Sequence, residues 1–207
     1  MVDARKGKMV ACLFSEDGSP KWFRARIEGR KRGEGADAAP AKTAEGLEVW
    51  EVTFVDYGNR DAVTVQSMRP LDAALSAIPP LARPAALAFI RVPPLSAEYG
   101  NEAASLLSDL AYGVRLNVTV HGKDFASDRA LVSLTNPEDG SCVNEIMIRE
   151  GVARVSSKEA RRIRARASNP RDVELLAALE AAAAAAKAGH VGMYQYGDVG
   201  ASDDERK

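Results

Sequence analysis

Trp50-Glu51-Val52-Thr53-Phe54-Val55-Asp56-Tyr57-Gly58-Asn59-Arg60 decides the fold of this chain of 207 residues. Apolar and aromatic residues alternate up to Phe54, so Trp50, Val52 and Phe54 share one face of a strand. The alternation breaks at Gly58-Asn59, two residue types that adopt positive φ with little strain. The stretch therefore reads as a strand running into a tight turn, with Tyr57 held at the strand end.

Working outward, Met9-Val10-Ala11-Cys12-Leu13-Phe14 and Lys21-Trp22-Phe23-Arg24-Ala25-Arg26-Ile27 are two further strands. The turn formers Ser15 to Pro20 join them into a hairpin. Ala62 to Val65 supplies a fourth strand, and evenly spaced short strands with turn signals predict a small bent sheet or barrel. Trp22 and Trp50 are expected in the core or in inter-strand packing. Residues Met1 to Lys8 are polar and read as loose. The span from Gly29 to Gly46 has almost nothing large and apolar to bury and reads as a flexible hairpin tip. Prolines at 70, 79, 80 and 84 exclude a continuous helix and mark a semi-rigid connector.

Beyond that connector, Leu87 to Val92 is a strand closed by Pro93-Pro94. Ala103, Leu106, Leu107 and Leu110 recur at helical spacing, with Gly113 as a stop. Val114, Leu116, Val118 and Val120 alternate as a strand whose partner is Ala130 to Thr135. Asn144 is placed to cap a short helix through Ile146, Met147 and Ile148 that ends at Gly151. Asn169-Pro170 starts a long helix over Asp172 to Ala188, where Leu175, Leu176 and Leu179 give the alanine-rich run a packing face.

Composition sets bounds. With 46% hydrophobic and 28% charged residues, the chain can bury a core as one large or two small domains. Lys and Arg number 28 against 29 Asp and Glu, so no global charge excess draws it to nucleic acid or an anionic membrane. Cys12 and Cys142 lie far apart without CxxC spacing and read as buried free thiols of a reducing compartment. No apolar run reaches the roughly 20 residues of a membrane span, and the expected location is the cytoplasm with the nucleus as a second compartment. His121 and His190 are isolated and read as solvated or core-edge histidines; no metal site or cofactor is expected.

Val10-x-x-x-Phe14, Trp22-Phe23-Arg24-Ala25-Arg26-Ile27 and Phe54-Val55-Asp56-Tyr57-Gly58-Asn59 resemble a Tudor domain of the extended type, a family that reads methylated arginine. Tyr99-Gly100-x-Glu102-Ala103, the run Val143 to Val155 and the terminal helix from Glu180 to Tyr194 resemble staphylococcal-nuclease-like domains. The order of these parts and the ending Gly192-Met193-Tyr194-Gln195-Tyr196-Gly197-Asp198 are similar to the C-terminal region of the Tudor staphylococcal nuclease family. The resemblance implies a mainly β fold with helices: an SH3-like Tudor barrel over residues 8–70, a Pro-rich connector over 71–84, and a partial nuclease-like OB domain over 85–196. That domain ends in a long helix, and residues 197–207 form a disordered tail. An OB barrel has five strands and only about three are readable after Pro84. The chain therefore reads as a C-terminal fragment or truncated gene product, with Ala86 to Val92 expected as an unpaired edge or apolar patch.

By the family pattern, nuclease chemistry would need an Arg, an Asp and a Glu where this chain has Ala86, Arg91 and Pro94; only Arg129 matches. A positive Arg91 at a cation site repels the metal, so the resemblance implies no catalytic residues. It implies instead that Phe14, Phe23, Phe54 and Tyr57 wall a methylarginine cage and that Asn59 hydrogen-bonds the guanidinium. Methylation keeps the cation's charge and removes donors, which favours π faces over carboxylate forks. From the residues alone, Phe14, Phe23 and Phe54 also read as core and Asn59 as a turn residue.

Arg161, Arg162, Arg164 and Arg166 lie in a basic run from Arg154 to Arg171 that is either an RNA phosphate contact or a solvated connector. The function that the resemblance implies is reading symmetric dimethylarginine in Arg-Gly-rich tails of Sm-like or Argonaute/PIWI-type proteins, as a scaffold in RNA regulation or silencing. The alternatives are an RNA-binding scaffold and a calcium-dependent nuclease.

Overall fold

A computed structural model of the chain describes residues 2–15, 18–33, 39–124, 126–165 and 169–196. It has two compact units, Met1–Pro84 and Ala85–Lys207. The expected tail over 197–207 lies outside the described residues.

The first unit is an antiparallel sheet of five strands, not four. β1 (Met9–Phe14), β2 (Lys21–Arg30), β3 (Val49–Phe54), β4 (Arg60–Thr64) and β5 (Met68–Pro70) lie in the order β4-β3-β2-β1-β5. β5 is three residues long and ends on a proline, which hid it among connector signals; it pairs with β1 through Cys12 and Met68. The strand period puts Val10, Cys12, Ala25, Ile27, Val52 and Phe54 on the inner face, and burial pushes the Cys12 thiol up to about 11.

Two expectations are corrected here and two are refined. The N-terminal residues are tied down: Gly7 donates to the Ile27 carbonyl, the Lys8 carbonyl accepts from Ile27, and Val2 and Ala4 pack on the core. The ends of the 29–46 span are laddered, with Lys31 donating to Val49, Ala41 to Lys31 and Gly33 to Ala39. Trp22 is 39% exposed and lies under the Arg69 guanidinium, 4.2 Å from the ring centre. The connector also holds a short helix, α1 (Ala73–Ala77), whose N-terminus the Asp72 carboxylate caps at the Ala74 amide.

The second unit has more strands than the sequence revealed. β6 (Ala85–Leu87), β9 (Arg129–Thr135) and β8 (Asn117–Asp124) form one sheet, with β9 central; β7 (Ile90–Arg91) pairs with β10 (Arg154–Val155) in another. The Ala86 to Val92 stretch is thus paired in both its halves, β6 running parallel to β9. Val92 at the end of the stretch is 40% exposed, and further exposed apolar residues lie on the edge strand β8. Alternation along β8 turns Thr119 and His121 to the Ser133 side and leaves Val118 and Val120 facing out, Val120 at 65% exposure, before a bulge between Val120 and Gly122.

Helices α2 (Gly100–Ala111), α3 (Val143–Arg149), α4 (Ser157–Ala165) and α5 (Pro170–Ala188) complete the unit. Phe89, Met147, Ile148 and Leu179 are its largest buried apolar side chains. Asn169 caps α5 by accepting from the Arg171 amide. Asn144 does not cap α3. It is fully buried, donates to the Ala88 and Val132 carbonyls at 3.1 Å each, and accepts from the Leu134 amide. Gly151 and Gly192 meet backbone to backbone: a Cβ on Gly151 would lie 2.3 Å from the Val191 oxygen, and one on Gly192 2.6 Å from the Glu150 oxygen.

Candidate functional site

The turn after β3 is built in layers. Phe54 ends the strand, and its carbonyl accepts from the amides of Tyr57 and Gly58 at 3.2 and 2.7 Å, while its amide donates to the Asn59 carbonyl. Gly58 has φ +86 and would bring a Cβ to 3.4 Å from Ala82, so glycine suits both the turn and the close approach. These bonds lift Tyr57 out of the sheet, where it is 69% exposed.

Four of the expected residues come together as an aromatic cluster. Phe14 lies 5.0 Å from Phe54 and 6.3 Å from Phe23, Phe23 lies 6.2 Å from Phe54, and Tyr57 stands edge-on to Phe23 at 5.4 Å. Phe54, 1% exposed, is the floor of this cluster and part of the core; Phe14 and Phe23 are half-buried. Asn59 is exposed at the exit of the turn. An electron-rich ring face that is partly wet, beside two others and above a dry floor, suits a large, weakly hydrated cation.

Two residues that sequence reasoning passed over hold this turn from outside. Arg24 Nε donates to Asp56 Oδ2 at 2.9 Å, and Nη2 donates to Oδ1 at 2.5 Å. Its remaining N–H groups reach the carbonyls of Leu75, Ile78 and Pro79 at 2.9, 2.6 and 3.2 Å. Asp56 Oδ1 also accepts from the Leu81 amide. The Arg24 guanidinium holds the Asp56 carboxyl below the usual carboxylate range, with desolvation opposing and the Leu81 bond assisting. The one available signal was the Trp-Phe-Arg-Ala alternation, which points Phe23 and Arg24 to opposite faces of β2.

The basic run folds into α4, not a solvated connector. Its arginine-rich composition masked the buried stripe of Ala160 and Ile163. Arg164 is bonded to Glu180 at 2.5 Å, Arg162 is 3.8 Å from Glu159, and Arg161 donates to the Ser157 carbonyl. Arg161 and Arg164 line a groove of about 470 Å³ with Val155, Ser157, Ala160 and Glu180. Arg166 lies outside the described residues.

His121 is not solvated. It is sealed against Phe89, with Nδ1 2.7 Å from Asp172 Oδ1 and Nε2 2.8 Å from Ser133 Oγ. The donor order is that of a hydrolytic triad, but Ser133 is buried on the central strand β9 and the imidazole is 3% exposed. The trio fastens the β8–β9 hairpin to the first turn of α5. Of the positions where nuclease groups would stand, Ala86 is in β6, Arg91 faces Arg154 across the β7–β10 pair and Arg129 opens β9. Among the described residues no group of three or more His, Cys, Asp or Glu could hold a metal ion. Among them, too, no helix is long and apolar enough to cross a membrane.

Residues 84–195 match the family model for staphylococcal nuclease homologues, and the chain belongs to that family. Within it, the chain has the extended Tudor architecture, a Tudor barrel with a nuclease-like OB unit. The likeness is to Tudor-SN: the solved extended Tudor domain of Drosophila melanogaster Tudor-SN superposes with a TM-score of 0.72 at 23% identity, over 93% of this chain and 77% of that one. The human TDRD1 extended Tudor domain, solved with a symmetrically dimethylated peptide, gives 0.56 at 24% identity over 73% of this chain and 67% of that one. Among curated proteins, Ribonuclease TUDOR 1 of Arabidopsis thaliana is 31% identical across 97% of this chain, and Staphylococcal nuclease domain-containing protein 1 of Drosophila melanogaster is 26% identical across 96%. The chain spans 20% and 18% of the length of these two relatives.

Proposed function

We propose that the chain is a non-catalytic reader of dimethylarginine, with Phe14, Phe23 and Tyr57 as walls, Phe54 as floor and Asn59 as the polar contact. The observation that carries this reading is the exposed Tyr57 ring standing edge-on to Phe23 beside Phe14, at the mouth of an otherwise closed aromatic cluster. The human TDRD1 neighbour, of the same fold, was solved with a symmetrically dimethylated peptide, which supports the symmetric mark as the preferred ligand. The proposed partners are Arg-Gly-rich tails of Sm-like or Argonaute/PIWI-type proteins. The proposed role is a scaffold in RNA regulation or silencing, in the cytoplasm and secondarily the nucleus.

Each desolvated ring face contributes up to about 2 kcal/mol to a cation, and not additively, so one mark should bind with a Kd around micromolar or weaker. Tighter binding would come from several marks on one tail. Titration of unmodified, asymmetrically and symmetrically dimethylated peptides tests the reading; equal affinity for all three would overturn it.

Two relatives are named ribonucleases, so the same protein should also be assayed for calcium-dependent RNA cleavage. None above background is expected. Cleavage that copurifies with the chain and disappears in Arg129→Ala would replace the reading with a nuclease. RNA binding through α4 is the second reading, favoured by the groove beside Arg161 and Arg164 and weakened by the Glu159 and Glu180 carboxylates beside Arg162 and Arg164.

A further inference from the structure

The Tyr57 ring is mostly exposed, with Phe23 as its ring neighbour, so its place must come from the backbone beneath it. That backbone is gripped on the side away from the rings. The five N–H bonds of the Arg24 guanidinium meet five acceptors: both oxygens of Asp56 and the carbonyls of Leu75, Ile78 and Pro79. The main chain doubles the grip, because Val55 donates to the Arg24 carbonyl and accepts from the Ala82 amide. Turn 55–59 and strap 75–82 are therefore bound to each other through one side chain that is only 12% exposed.

We propose that Arg24 is the positioning residue of the dimethylarginine site, presetting Tyr57 and Asn59 by locking the turn to the strap without touching the ligand. The proposal rests on the reading in the preceding subsection. A site whose walls are fixed before binding spares the ligand the cost of ordering them, and a wall carried on a turn gains most from such a lock. Lysine cannot replace the guanidinium, since its three donors lack the planar fork that spans a carboxylate and three carbonyls at once.

The test uses the full chain in three variants, Arg24→Lys, Asp56→Asn and Val63→Ala, with peptide titrations and amide hydrogen exchange at 25 °C. Val63 is a core residue of β4 and lowers the stability of the same unit without reaching the turn, so it separates positioning from general loosening. Arg24→Lys and Asp56→Asn are expected to weaken symmetric dimethylarginine binding about tenfold and to speed exchange at Tyr57, Gly58 and Ala82. Val63→Ala is expected to stay within about twofold of the parent. If the parent protein discriminates methylated peptide and Arg24→Lys binds equally well, the positioning role is wrong and the reader stands. A parent protein that does not discriminate takes down both. Failure of Arg24→Lys to fold, or an equal loss in Val63→Ala, would make Arg24 a stability residue and overturn the proposal.

Discussion

Arg24 in the first unit and Asn144 in the second are both largely buried polar side chains that gather backbone groups from distant segments, yet their surroundings differ. Asn144 satisfies Ala88, Val132 and Leu134 within an apolar core, and nothing around it is open to solvent chemistry. Arg24 spends its donors just as completely, but the turn it holds carries an exposed aromatic ring on its other side. A saturated polar hub is by itself a statement about architecture. It bears on function when what it immobilises faces water.

The sharpest way to break this contrast is at Phe54, which belongs to both the cluster and the core. Phe54→Ala is expected to cost about 4 kcal/mol, with the urea midpoint of the first unit collapsing, because a fully buried ring leaves a cavity. A small loss would mean the floor is loose and the aromatic cluster is not anchored.

Asn144→Ala should come next, at about 2–3 kcal/mol in the second unit, since three buried backbone groups lose a partner. The Ala88 amide already donates to Val132 and would keep part of that junction. A loss equal to that of Phe54→Ala would put the hub level with the core in importance.

Acid sharpens the same comparison. Asp56 titrates below its ordinary value of 3.8 in the folded chain, so its ion pair is fully stabilising above that value and is lost as pH falls through the lower folded value. Melting temperatures between pH 5 and 2 should fall in the parent, and less steeply in Asp56→Asn. Parallel curves would remove Asp56 from the acid limb.

The smallest stability effect is expected at Tyr57→Ala, under about 0.5 kcal/mol, since the ring is largely in solvent. The same change should erase preference for methylated peptide. Collapse of the fold instead would make Tyr57 a core residue; unchanged discrimination would move the ligand elsewhere.

Strong local patterns made much of this molecule legible. Alternation placed β1 and β3, and the Asn-Pro start and leucine face placed α5, because these signals act within a few residues. What escaped depended on distance or on competition between signals. Arg24 and Asp56 are joined across 32 positions, and no local period announces such a pair. The alternation of Val118 and Val120 was real, but its apolar phase faces solvent, and the opposite phase gave the buried side to a histidine with two partners. Asn144 had the chemistry of a cap and was drawn instead into the core, where unpaired carbonyls had the stronger claim. The four rings and Asn59 were nameable from their motif; that one of them would be a floor depended on the strand's inner face, already readable at Trp50, Val52 and Phe54.

The contact of Gly151 with Gly192 has a consequence for the order in which the second unit assembles. It shuts a loop that contains β10, α4 and α5, and the Met193 amide bonds the Gly151 carbonyl across it. Closing a loop of that length costs chain entropy before any contact repays it, and neither glycine has a side chain to capture the other at long range. The clasp should therefore form late, after α5 has docked through Leu176 and Leu179, and open first. Native-state exchange is expected to show the Met193 amide released in a partial opening that leaves the Asn144 junction closed.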